Sequence, residues 1–505
     1  SFPDAEAGAD AGILGTFVNC GTGSDTTDAG SGGLESSPWK TIGHAVSMAA
    51  PGQTIWVQDG TCDDTTEPTF AGVNVRLDVP DGVSIRAVNP GQVTFRGSPS
   101  GFRAASLRFL GSGTVEGIHF ERFGRGIEAS SGTLTLRGVS FDDVYQGRPL
   151  ELSGTVVATV EPGSLTNYIG TNQRGFARVE GSARLTVNGG TISGALDSGI
   201  SGDTVFVVDE QAELVLDAFT LTASTLSGIQ VRGSAKATVR GGSLLEGAGS
   251  SACCNQSGVN VSGSATFELL ASRIDGSRGP GILCSGAGAP TILLRDAEVT
   301  GGTGHGIEGR IYSDCRPTLT LERSKITGNR SGIYLNYGGD LTITDSFIDD
   351  NGSTTTQCGS GIHYNDASRA QSLVMRRTSV QRNCQHGVLL DGAATSVFDL
   401  GRGDDPGVNT LSGNHVGGAY ANLYVEANET LTVHAAGNTW EPGVQGAAAS
   451  GSTSPLPGQY DLVSANTRDV TGAQSGVNHI IAGANAATST LRLAEAACVP
   501  AGTCP

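Results

Sequence analysis

The sequence predicts an all-β fold, a single-stranded right-handed parallel β-helix, and three observations predict it. A Gly followed by a β-branched residue recurs at Gly199-Ile200, Gly228-Ile229, Gly258-Val259, Gly281-Ile282, Gly306-Ile307, Gly332-Ile333, Gly361-Ile362 and Gly387-Val388, in steps of 29, 30, 23, 25, 26, 29 and 26 residues. Self-similarity at that period marks a solenoid that lays down one short unit per turn. Between the marks, stretches such as Leu319-Thr-Leu-Glu-Arg-Ser-Lys-Ile326 and Leu341-Thr-Ile-Thr-Asp-Ser-Phe-Ile348 alternate apolar and polar residues, the pattern of strands with one face inward. Composition agrees: 76 glycines in 505 residues suit several tight turns, and aromatics at 5% are too few for a conventional large core. Stacked aliphatic ladders need few rings, because each coil buries its inward residues against the coils above and below.

The elements follow in order. Residues 1–16, beginning Ser1-Phe-Pro-Asp-Ala-Glu-Ala-Gly, form an acidic, Ala/Gly-rich leader or spacer. It looks like the spacer that follows a lipidated cysteine in bacterial surface lipoproteins, although that cysteine is absent. A lipid anchor upstream of Ser1 is one expectation, and simple secretion is the other. Residues 17–62 form an N-terminal cap with a helix near 39–50. Its residues Ile42, Ala45, Val46 and Ala49 share one face, Pro51-Gly52 stops it, and Ile55-Trp-Val57 begins the first coil. Such a helix covers the open end of the solenoid, whose strand edge would otherwise recruit other chains.

The run Phe17-Val-Asn-Cys-Gly-Thr-Gly-Ser-Asp, followed by Ser37-Pro-Trp-Lys-Thr-Ile-Gly-His-Ala-Val and ending near Thr61, resembles the opening module of unknown function that heads many bacterial secreted or surface right-handed parallel β-helix proteins. The resemblance implies a pectate-lyase-like solenoid and says little of function, since that class holds surface proteins and lyases alike. The solenoid is expected over 55–440 as one elongated body. Its last coils, Phe398-Asp-Leu-Gly-Arg-Gly-Asp-Asp-Pro-Gly through Ala436-Gly-Asn-Thr-Trp440, are similar to the final coils of the same class. The Arg402-Gly403-Asp404 within them matches an integrin-type tripeptide, which Gly/Asp-rich turns generate by accident. Residues 441–505 read as a linker and a C-terminal cap or tail.

Ten cysteines against two methionines suggest an oxidising compartment, so an extracellular or outer-surface location is expected. Cys358 and Cys384 each lie three residues before their Gly in consecutive coils, which puts their Cα atoms about 4.8 Å apart, within disulfide range. Cys20 with Cys62 staples the cap, and Cys498 with Cys504 closes a terminal loop. Cys253, Cys254, Cys284 and Cys315 are expected in two further bridges, with the adjacent pair split between them. Zinc is the competing reading, weakened by the lack of a CxxC pair with a nearby His. A formal charge of −18 disfavours nucleic acid and anionic membrane surfaces as partners, and no apolar run of 18 residues exists.

On the strand that begins at each mark, the β-branched residue points inward and residues one and three steps on point outward. Across coils these are Glu308 and Arg310, Tyr334 and Asn336, His363 and Asn365, Leu389 and Asp391. They form the most chemically mixed face in the chain, roughly 15 to 20 Å long, a length that suits several sugar units and an extended glycan or other surface partner. If the face is catalytic, β-elimination from a uronate polymer assigns Arg310 to the carboxylate and His363 or Tyr334 to the proton, with Glu308 and Asp391 as the pair for Ca2+. Arg295, Arg323, Lys325, Arg376 and Arg377 on the following strand offer a basic patch, or else ordinary side chains facing acidic neighbours. Gly304-His305-Gly306 resembles one motif of polygalacturonate hydrolases, but the paired Asp that precedes it there and the Arg-Ile-Lys that follows are missing. His305 otherwise occupies the pre-Gly place filled by Ser227, Ser257, Ser331, Ser360 and His386. Asn329 and Asn383 read as turn residues bonding the backbone. The functional reading is a rigid polar face that binds extended glycans. The alternatives are a polysaccharide lyase or hydrolase and a structural spacer or self-assembling fibre subunit.

Overall fold

The computed structural model describes residues 15–26, 33–70, 76–97, 106–123, 125–142, 148–162, 175–193, 204–222, 224, 227–248, 256–310, 314–352, 358–366, 369–393, 395–402, 404–414, 422–425 and 432–441, with short strands at 444–445, 459–462, 467–468, 480–482 and 489–492. Most of the leader, Ile200, Cys253, Cys254, Gly403, Cys498 and Cys504 lie outside these residues. The chain forms a right-handed parallel β-helix and divides into two compact units, Ser1–Leu165 and Thr166–Pro505.

In the first unit the helix is Ile42–Met48. The Thr41 hydroxyl accepts from the His44 amide at 3.1 Å and itself donates to Asp25 at 2.7 Å, so the N-cap is held as well as filled. Ile42, Ala45 and Val46 are buried, and the helix packs on the strands Thr16–Val18 and Arg76–Val79. Ala49 is not part of the helix as expected but its extended C-cap, and Gln53 turns back to accept from the Ala50 amide. The stack also begins earlier than Ile55. Thr16–Val18 pairs in parallel with Thr54–Val57, followed in register by Ser84–Ala87, Gly113–Glu116, Thr133–Arg137 and Val157–Val160. Here rings do fill the core, with Phe70, Phe95, Phe120, Phe123 and Phe141 in mutual contact.

In the second unit each coil contributes three strands, for example Ile307–Gly309, Thr318–Glu322 and Lys325–Thr327. On the first strand Ile229, Val259, Ile282, Ile307, Ile333, Ile362 and Val388 stand opposite one another from coil to coil, all fully buried. The Gly199-Ile200 mark lies outside the described residues, and Phe206 takes the place opposite Ile229. The parallel sheets also run past residue 440, since Ile480–Ala482 pairs with Leu423–Val425 and Ser489–Arg492 with Thr432–His434. Antiparallel strands Gln459–Leu462 and Thr467–Arg468 then pair with that last coil.

Buried turns carry a polar ladder beside the aliphatic one. The amides of Asn329, Asn351, Asn383 and Asn414 donate in turn to the side-chain oxygens of Asn351, Asn383, Asn414 and Asn422 at 3.0 to 3.3 Å. Their side-chain NH2 groups donate to the carbonyls of Val299, Ile326, Ile348 and Val380. Disulfides join Cys20 to Cys62, Cys284 to Cys315 and Cys358 to Cys384, with Cα separations of 5.2, 5.9 and 5.2 Å. The expectation that Cys253 and Cys254 split two bridges to Cys284 and Cys315 fails, because Cys284 and Cys315 bond to each other.

Two substitutions test this arrangement. Ile333→Asp buries an unpaired carboxylate and is expected to destabilise by several kcal/mol, read as loss of the native circular dichroism or of the urea midpoint. Asn351→Ala leaves the Asn329 amide without its acceptor and should destabilise by about 1 to 3 kcal/mol, measured by the same denaturation.

Candidate active site on the first-strand face

Strand register fixes the site. Glu308 lies opposite Tyr334, Tyr334 opposite His363, His363 opposite Leu389, and Leu389 opposite Tyr424. Side chains at these places point away from the aliphatic ladder, because alternation along a strand sends the next residue to the other face. The ladder runs on one residue further: the Asn336 amide donates to Gly309 and the Asn365 amide to Leu335, which brings both amide side chains beside the rings.

The rings form a stack. His305 lies flat on Tyr334, with centroids 4.6 Å apart and planes 10° apart, and His363 meets Tyr334 edge-on at 4.7 Å and 84°. The Asn365 NH2 donates to Asn336 Oδ1 at 2.7 Å and to the Tyr334 hydroxyl at 3.3 Å, while that hydroxyl donates to Asn336 Oδ1 at 3.4 Å. Asn336 Oδ1 thus accepts twice, and the buried Asn336 NH2 and His305 Nδ1 each have no hydrogen-bond partner. Among the described residues Glu308 makes no hydrogen bond or ion pair.

Burial dominates the electrostatics. It pushes His305 down to about 3, with Arg330 and His363 adding to the effect. It pushes His363 down to about 4, against the opposing hydrogen bond with Asn365. It raises Glu308, against the charges of Arg310 and Arg330, and it raises the Tyr334 phenol, to which the Glu308 charge adds. At neutral pH two uncharged imidazoles therefore flank a protonated phenol. Displaced titrating side chains gathered on one face make this a candidate functional site.

Of the residues expected here, Glu308, Tyr334, Asn336, His363 and Asn365 come together, and Arg310 acts on Glu308 through its charge. Asp391 does not join them. Glu308 and Asp391 are separated by three strand steps, roughly 14 Å, so they cannot share one Ca2+ with oxygen distances of about 2.3 to 2.6 Å. The same gap exceeds the roughly 6.5 to 9.5 Å that separates the two carboxyl groups of inverting glycosidases. Among the described residues no group of three or more His, Cys, Asp or Glu is placed to hold a metal ion. The basic patch is largely neutralised: Arg295 pairs with Glu322, Arg323 with Asp296, Arg377 with Asp345, and Arg376 with Asp399 and Asp405. Arg402 likewise pairs with Asp399.

His305, whose Gly-His-Gly setting lacks the companions of the hydrolase motif, joins the face through its ring contact with Tyr334. Its place before a coil's Gly looked interchangeable with Ser331 and Ser360, yet its ring reaches Tyr334 of the next coil. His386 does the same to Tyr424, at 4.5 Å. An imidazole just before one Gly and a tyrosine just after the next coil's inward residue is the signal that would have found both.

The description "right handed beta helix region" matches residues 227–401. Among solved structures the chain is similar to the periplasmic alginate epimerase AlgG, at 10% identity over 77% of this chain and 80% of that one with a TM-score of 0.32. It is also similar to the PL6 family alginate lyase AlyGC, at 11% identity over 81% and 85% with a TM-score of 0.31. Comparison with curated proteins finds no match.

The displaced histidines give stability a pH dependence. An unfolded histidine takes a proton near 6.5, whereas folded His363 resists it down to about 4. Below 6.5 the unfolded state therefore binds more protons, and stability falls as pH falls. For His363 the full loss is on the order of 3 kcal/mol. The melting temperature is expected to drop from pH 7 towards 4, and His363→Asn and His305→Asn should each flatten that slope in thermal scans.

Proposed function

We propose that this protein is a polysaccharide lyase that binds an extended uronate-containing glycan along the first-strand face and cleaves it by β-elimination. The observation that carries the reading is the His305–Tyr334–His363 stack, which holds a proton acceptor and a proton donor side by side in the states that the reaction uses. One His363 nitrogen is engaged with Asn365, and the other takes the proton from the carbon next to the sugar carboxylate. The C–H electrons form the new C=C bond, the bond to the leaving oxygen breaks, and the Tyr334 hydroxyl delivers a proton to that oxygen. An acceptor and a donor on one face suit a proton and leaving group on the same side of the sugar ring.

Arg310 lies on the same face and supplies the positive charge that a uronate needs. A bound carboxylate beside His363 also favours its protonated form, so the substrate itself strengthens the base. The three disulfides suit an extracellular or outer-surface location, where such polymers are met.

Incubation with polygalacturonate, alginate and a neutral glucan, with and without Ca2+, tests the reading through the ultraviolet absorbance of the unsaturated product. Turnover is expected on a polyuronate and not on the glucan. His363→Ala and Tyr334→Phe should each lower kcat about 100-fold or more with little change in circular dichroism. Binding without unsaturated product would leave a glycan-binding surface instead, and rates untouched by both variants would move the chemistry elsewhere.

A further inference from the structure

Arginines in the second unit mostly hold a carboxylate, as Arg295, Arg323, Arg377 and Arg382 do. Arg278 and Arg330 differ. Both are exposed, and among the described residues neither side chain makes a hydrogen bond or an ion pair.

Their places in the fold match. Gly276, Gly301 and Gly328 have positive φ of 60°, 67° and 69°, and Arg278, Thr303 and Arg330 are each the second residue after one of these glycines. Backbone bonds lock the three turns in a row: the Thr303 amide donates to Ser277, and the Arg330 amide donates to Gly304. The Thr303 hydroxyl donates to the Arg278 carbonyl at 2.6 Å. Two strand steps therefore separate the arginines, roughly 10 Å along the stacking direction. Thr303, the middle of the row, lies two residues before His305, and the Arg330 charge is felt at His305, Glu308 and Tyr334, so the Arg330 end borders the ring stack.

In a chain with a formal charge of −18, one guanidinium beside the ring cluster and a second two strand steps away, neither holding a carboxylate, are placed for an anion. A fork of N–H donors fits a carboxylate. Resting on the lyase reading for the identity of the polymer, we propose that Arg278 and Arg330 form a carboxylate-reading rail, which engages acid groups two strand steps apart on one polyuronate chain. The rail selects for runs of uronate over isolated ones, and it holds the chain along the stacking direction while Tyr334 and His363 act on one linkage.

The test uses the whole protein, immobilised polygalacturonate and alginate, and the same polymers after carboxyl reduction. Wild type should bind at least one polyuronate and lose binding on its carboxyl-reduced form. Arg278→Gln and Arg330→Gln should each raise Kd about three- to tenfold, with circular dichroism unchanged, and added salt should shrink the difference. If cleavage is seen, Arg278→Gln should raise KM on polymer and leave kcat at saturation as it was. Equal binding of the reduced polymer, unchanged Kd in both variants, or no binding of either polyuronate overturns the rail. Unchanged Kd together with a His363→Ala protein that has lost turnover sinks the rail and leaves the lyase standing. Raised Kd with no turnover in wild type sinks the lyase and keeps the rail.

Discussion

Everything on the outer face depends on the registered stacking of one buried aliphatic side chain on the next. A single coil cannot enclose its own interior, so Ile307 is covered only because Ile282 and Ile333 lie directly above and below it. Burying each such side chain contributes about 1.5 to 3 kcal/mol, and the contribution vanishes if a strand slips by one residue, since that turns the apolar set outward. The same register puts Glu308, Tyr334 and His363 in line. The site therefore needs no dedicated scaffold; it is the outward reading of the ladder that holds the coils together.

Hydrogen bonds complete what apolar burial leaves undone. Where the chain turns between strands, amides would be stranded inside, and the Asn329-to-Asn422 ladder accepts them while its NH2 groups cover nearby carbonyls. The second turn uses hydroxyls in the same way, with Ser324 accepting from Ala297 and Ser346 from Ser324. Asp296, Arg323, Asp345 and Arg377 adopt positive φ at an exposed turn, a conformation that L side chains rarely take. Each Arg there clasps the Asp of the preceding coil through two bonds, which offsets part of that strain.

The fold was legible because its signal repeats: a Gly followed by Ile or Val recurs at eight places one coil apart. The site was legible in part, because strand alternation alone puts Glu308, Tyr334 and His363 on one side. What was not legible depends on neighbours one coil away. His305 gains meaning from Tyr334, which lies 29 residues on in sequence and in contact in space. Cys284 pairs with Cys315, which bridges opposite Gly288 beyond the end of its own coil's first strand, a place that phase counted from the Gly marks does not reach. Opposite Ile229 the ladder holds Phe206, a residue that no Gly mark announces. Glu308 and Asp391 share a face, but a face says nothing of distance along it.

Two crosslinks bracket the coils that carry the ring stack, Cys284–Cys315 on the Glu308 side and Cys358–Cys384 on the His363 side. In a one-dimensional stack, melting proceeds coil by coil from a free end, like a zipper. A covalent tie between consecutive coils stops that front, because the next coil cannot leave alone. The segment between the ties thus behaves as a protected interior of the chain's own making. Fraying of coils beyond the ties therefore need not loosen the rings between them.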